Sequence, residues 1–330
     1  MKISAKKSVI ITLIILIILV ILLSRINLHK TFKAFVGVSW IWIICSGSLN
    51  ILNTWVEAIR WKLILSSVKK NIHVRRTFAS ILVGVVGNII LPFRLGDGVR
   101  AYFLAKKECI PLASVLSTVL LDRVADVISF LLFVAVTAFL FHLPSSVTRA
   151  CLIAGAFVSF VLVILIISRK FSHRIKQKSQ GRFRQKLSEQ INHFLIGLSA
   201  LRSKGLFFPT SIISIISWII RLMMVWTMTK AFRLGLPLVA AMVVLILTNL
   251  GIAIVSTPAN VGGFELSAVA AYRLFIKDTE IALSCAIALH LVEVIPIALL
   301  GLVIIWHNGF SLKFTRELQS LLKTENDDLS

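Results

Sequence analysis

The chain of 330 residues is 58% hydrophobic and only 15% charged, with a mean hydropathy of +0.93. That composition excludes a soluble domain with a large core and points to a protein crossing the bilayer several times. A formal net charge of +22 could suggest nucleic acid, but the basic residues sit in short loops between apolar runs, where they fix topology and meet anionic lipid, so nucleic acid is not expected as a partner.

In chain order, Met1 to Lys7 carries three lysines and Ser8 to Leu23 has no charge. Leu23-Ser24-Arg25 offers no small-x-small cleavage site, so an uncleaved first helix is expected. Apolar stretches able to cross about 30 Å of hydrocarbon lie near 8–23, 34–56, 112–141, 148–167, 206–231, 237–256 and 280–306, with shorter ones at 77–93 and 264–276. Between them, 26 Lys and Arg residues fall in the N-terminal tail, 57–76, 94–111, 169–204 and the C-terminal tail, against seven in the opposite loops. This bias predicts a multi-pass inner-membrane protein with both termini in the cytoplasm. Residues 57–76 and 94–111 can both be cytoplasmic only if 77–93 dips in and returns. The predicted fold is therefore all-α, with about eight transmembrane helices plus re-entrant segments around a central polar cavity, in a single integral membrane domain over 1–330.

Within 169–204, Leu187, Ile191, Phe194, Leu195, Leu198 and Leu201 keep helical spacing among basic residues. They predict an interfacial helix, either a docking element or a stiff loop lying on anionic headgroups. The cysteines Cys45, Cys109, Cys151 and Cys285 are scattered and form no Cys-x-x-Cys, so neither a disulfide frame nor a metal site is implied.

Two polar runs interrupt the apolar chain, Gly87 to Arg100 and Ser256 to Glu265, and each contains Pro-x-x-x-Gly, as Pro92 to Gly96 and Pro258 to Gly262. Broken backbone at membrane depth is tolerated where it is buried in protein or lines a wet cavity, so both runs mark a candidate site. The repeated spacing suggests pseudo-repeat halves over 34–141 and 206–306. In the first run, Arg94, Asp97 and Arg100 would share a helical face and leave net +1 to meet a phosphate, with Gly96 and Gly98 admitting a headgroup to the backbone. The alternative is that both arginines are topology signals at a helix end. Asp122, Arg123 and Asp126 open the next long span, where the aspartates could brace Arg94 or Arg100 or form a proton path. In the second run, Gly262 and Gly263 precede Glu265, placed to cap a half-helix. His290 and Glu293 read as a weak polar pair on the last span, and two residues do not make a metal site.

Enzyme signatures are missing. Asp97-Gly98-Val99-Arg100 followed by Asp122 and Asp126 lacks the carboxylates that a two-metal phosphotransferase needs. No Gly-x-Ser-x-Gly, His-Glu-x-x-His or Walker loop occurs, so neither catalytic residues nor cofactors are predicted.

The ordered motifs resemble the membrane region of lysylphosphatidylglycerol synthase (multiple peptide resistance factor) and its stand-alone relatives. The residues that carry this are Asn88, Pro92, Arg94, Gly96, Asp97 and Arg100, then Asp122, Arg123 and Asp126, then Pro258, Gly262 and Glu265. Pro258-Ala259-Asn260 stands where the family has Pro-Gly-Gly. The resemblance implies a flippase-like fold. Without the aminoacyl-transferase domain, lysine transfer is not expected. The functional expectation is a membrane protein that moves or holds an anionic lipid headgroup between leaflets, the lipid being a phospholipid or a polyprenyl- or hopanoid-type molecule. Arg94, Arg100, Asn88, Gly96, Gly98, Gly262, Gly263 and Glu265 would bind it; Asp97, Asp122, Arg123, Asp126, Pro92 and Pro258 would supply counter-ions and backbone breaks. The runner-up is a non-transporting accessory protein in envelope lipid or glycan synthesis, partnered by a synthetic enzyme or a second copy, and third is an integral-membrane lipid enzyme.

Overall fold

A computed structural model of the chain describes residues 35–91, 94–140, 204–254 and 257–307. The spans expected near 8–23 and 148–167, both tails, the interfacial helix ahead of Lys204 and Pro92 itself lie outside the described residues. Within them the protein is all-helical: α1 (Trp40–Leu65), α2 (Val74–Ile90), α3 (Gly96–Glu108), α4 (Leu112–Leu140), α5 (Lys204–Ala231), α6 (Leu238–Ile254), a 3-10 turn at Pro258–Asn260, α7 (Gly263–Tyr272) and α8 (Thr279–His307). The stretches Phe208–Ala231 and Thr279–His307 are long and apolar enough to cross a membrane. Large apolar side chains such as Trp40, Ile44, Ile219, Leu299, Val303 and Trp306 are exposed on the outer faces of α1, α5 and α8, as suits helices whose solvent is lipid.

The second and third helices form a hairpin. At 1.5 Å per residue α3 is about 20 Å long, short of the roughly 30 Å needed to span, and it runs back along α2. Arg76, in the first turn of α2, bonds Glu108, the last residue of α3 (Nη1 to Oε1, 2.5 Å), and Lys69 donates to the same carboxylate at 2.7 Å. Near the tip the backbones touch: a Cβ on Gly96 would lie 2.0 Å from the Gly84 carbonyl oxygen, so only glycine fits. Asn88 closes the break by accepting from the Gly96 amide at 2.8 Å, which satisfies a helix-start donor that no residue of α3 can reach.

The sixth and seventh helices fold back in the same way, with Gly251 packed against Gly263 and Ser267 across the turn. Gly262 sits at φ 87°, where other residues are strained, and its amide donates to Glu265 at 2.7 Å, forming the capping contact anticipated for Glu265. The order of long helix, hairpin, long helix thus occurs twice, in α1 to α4 and in α5 to α8.

The two leading helices run antiparallel along most of their lengths. Ser39 N donates to Ala231 O, Ser46 Oγ to Met224 O and Ser217 Oγ to Asn53 Oδ1, at 2.9, 3.0 and 2.7 Å. A second contact ties α1 to α8. Pro296 has no N–H, so the Val292 carbonyl four residues earlier loses its helical partner. Asn50 Nδ2 fills the vacancy, donating to Val292 O at 3.0 Å and Glu293 O at 2.7 Å.

Candidate functional site

Both hairpin tips open onto one cavity of about 240 Å³. Gly84 and Asn88 of α2, Arg94 at the first break, Asp97 and Arg100 of α3, and Thr257, Ala259 and Asn260 of the second turn line it. The long helices contribute Asn50, Asn53 and Glu57 from α1, Arg123 and Asp126 from α4, Arg221 from α5 and His290 and Glu293 from α8.

On one side of this cavity is a network of eight charged groups. Arg60, buried, donates from Nε to Asp122 Oδ1 at 2.8 Å and from Nη1 to Asp126 Oδ1 at 3.1 Å, with Ser214 Oγ at 3.3 Å. Arg100 holds the other oxygen of Asp122 at 3.3 Å through both terminal nitrogens and lies over the Trp61 ring at 4.9 Å. Its Nε is 3.2 Å from Asp97 Oδ1 but is not aimed at it, and makes no hydrogen bond. Asp97 is instead gripped by the fork of Arg123, at 2.9 and 2.6 Å. Arg221 bonds Glu57, which also accepts from Asn53 at 2.8 Å, and reaches to 3.7 Å from Asp126. Four arginines and four carboxylates thus neutralise one another. Burial without such pairing would be prohibitive in lipid.

Several sequence expectations change here. Arg94, Asp97 and Arg100 do not share one helical face, because α3 starts only at Gly96 and Arg94 stands before it at φ 54°. Arg100, expected to meet headgroup as Arg94 would, is buried and committed to Asp122. Asp97, Asp122 and Asp126, expected as counter-ions of Arg94 and Arg100, meet Arg60, Arg123 and Arg221 as well as Arg100, and none of them forms an ion pair with Arg94. The bareness of Gly96 serves the packing on Gly84, Gly98 faces open space, and Gly262 and Gly263 shape the second turn and the start of α7 outside the cavity lining. Pro258 opens that turn. His290 does not pair with Glu293: its Nδ1 meets Glu265 Oε1 at 2.6 Å and its Nε2 the Ala259 carbonyl at 2.9 Å.

Glu57, Arg60 and Arg221 are the functional-site residues that sequence reasoning did not place. A signal exists for the first two, since Asn50, Asn53, Glu57 and Arg60 recur at three- or four-residue intervals and form a polar stripe on α1. Two charged groups of the cavity lining remain outside both this network and the Glu265–His290 pair. Arg94, exposed at the break, and Glu293, on the cavity side of α8, make no ion pair among the described residues.

The family model for the lysylphosphatidylglycerol synthase TM region matches residues 8–301. The chain belongs to that family. Among curated proteins, a UPF0104 membrane protein of Methanocaldococcus jannaschii is 24% identical over 318 residues, 91% of this chain and 95% of that protein. A UPF0104 membrane protein of Methanothermobacter thermautotrophicus is 23% identical over 292 residues, 82% and 86% of the two chains. No solved structure matches. Membership makes this all-helical chain a membrane protein and carries the sequence resemblance from a few motifs to nearly its whole length.

Proposed function

We propose that the protein takes the phosphate of an anionic lipid headgroup into the cavity and carries it between leaflets of the inner membrane. One observation carries this reading: a cavity bounded by two broken hairpins presents a guanidinium, Arg94, that makes no ion pair among the described residues. A planar fork that keeps its proton suits phosphate oxygens. At about 240 Å³ the cavity is smaller than the roughly 300–1,000 Å³ that encloses a drug-sized ligand, so it fits a headgroup whose acyl chains stay outside in lipid. Hairpins meeting at a shared cavity, carried by leading helices that run in opposite directions, suit an inverted repeat working by alternating access.

Liposomes of phosphatidylcholine containing labelled phosphatidylglycerol test it. The protein should move label between leaflets, and Arg94→Ala should reduce the rate at least tenfold while leaving expression and thermal stability unchanged. Transfer by Arg94→Ala at the parental rate would overturn the reading.

A further inference from the structure

His290 stands between two oxygens that have no hydrogen to give in their usual states. Glu265 Oε1 is 2.6 Å from Nδ1 and the Ala259 carbonyl oxygen 2.9 Å from Nε2. The other carboxylate oxygen, Oε2, is occupied as an acceptor from the Gly262 amide. A neutral imidazole has one N–H, so with an ionised Glu265 one of the two contacts would set lone pair against lone pair. The arrangement closes only when the pair carries one further proton, either as imidazolium and carboxylate or as imidazole and carboxylic acid. Phe264 stacks on the ring at 4.6 Å and fixes its plane.

What this proton holds is the tip of the second hairpin. Ala259 and Asn260 adopt φ 52° and 60°, a left-handed conformation that non-glycine residues enter at a cost, and both line the cavity. The charged groups acting on His290 are Glu265 from α7 and Glu293 from its own helix; Glu293 in turn faces Arg221 from α5, Glu57 from α1 and Arg94 at the first break, and Asp97 and Arg100 of α3 and Arg123 and Asp126 of α4 line the same cavity. Helix α6 brings no titratable residue.

We propose that Glu265 and His290 form a proton-binding latch: with the proton bound the Pro258–Asn260 turn is clamped to α8, and with the proton lost it is released, so that opening of the cavity is tied to proton binding and release. The tie to transport rests on the function proposed above; the latch itself does not.

Hydrogen exchange over residues 257–262, measured on purified protein between pH 5 and 9.5 and corrected for intrinsic rates, reads the latch directly. In the parent, protection should fall about tenfold per pH unit above a one-proton transition, as linkage of local opening to a single proton requires. Glu265→Gln can accept from Gly262 and donate to a neutral His290, so its protection should be high and independent of pH. His290→Gln can satisfy one contact at a time and should show low protection throughout. Parental protection that does not vary with pH, or Glu265→Gln that titrates like the parent, overturns the latch. The liposome assay, repeated across the same pH range, separates the two ideas. A pH-dependent rate that Glu265→Gln makes constant supports the coupling, and an active parent whose rate ignores pH overturns it. Titrating exchange without any lipid transfer supports the latch and sinks the transport reading instead.

Discussion

Arg94 and Arg100 are six positions apart and chemically identical, yet they answer to different constraints. Arg100 is buried against Asp122 and Trp61, so Arg100→Ala strips a carboxylate of one partner and empties the space beside an indole. Breaking a buried pair typically destabilises by about 3–5 kcal/mol. Expression yield and thermal unfolding should therefore fall sharply for Arg100→Ala and for Asp122→Ala, but not for Arg94→Ala, whose loss should appear in lipid transfer. Equal stability losses for both arginine variants would mean that Arg94 is also part of the brace. Local sequence could reveal that these arginines were unusual but not which was committed. The partners that decide it come from α1 and α4, and Arg60 falls within the basic stretch 57–76, where sequence alone reads it as a topology signal. The apolar run ends at Val56, but the helix continues to Leu65, because the charges beyond it are neutralised by distant helices that hydropathy along the chain does not see.

At the scale of the element, the hairpins were legible wherever proline and glycine wrote them. The break after Leu91 and the turn at Pro258 follow from residues that cannot continue a helix. The partner each tip finds was not legible, since His290 lies 31 residues beyond Ala259. The close packing of α2 on α3 makes Gly96→Ala destabilising by about 1–3 kcal/mol, through a clash with the Gly84 backbone that no rotamer relieves; the thermal midpoint of purified protein should drop accordingly. At the base of that hairpin, Lys69 and Arg76 hold the Glu108 carboxyl below the ordinary carboxylate range despite its burial. A folded-state pKa below the unfolded value means the contribution is complete above the unfolded value, about 4.3, and fades as pH falls through the folded one. Thermal stability measured from pH 7 down to pH 3 should show this acid loss in the parent and a flatter acid limb in Glu108→Gln. Identical limbs would mean that the cluster does not contribute.

For the whole molecule, the expected side of each loop can be tested by its neighbours. The hairpin returns Glu108 to the level of Lys69 and Arg76, so cysteines at Lys70 and Lys107 should label together, and those at Arg233 and Lys277 should label from the opposite face. Reagent added outside intact cells should reach only the second pair. Labelling of the first pair from outside would reverse the orientation read from the basic loops.

The antiparallel seam of α1 and α5 has a mechanical meaning. Its polar contacts are spread from Ser39 and Ala231 at one end to Arg60 and Ser214 at the other, each fitted to one register. Sliding either helix by a single turn, about 5.4 Å, would part Arg60 from Ser214, Ser217 from Asn53 and Arg221 from Glu57, and a buried polar group stripped of its partner is costly. The seam therefore holds the two leading helices in one register, a fixed spine beside which the tips of both hairpins meet.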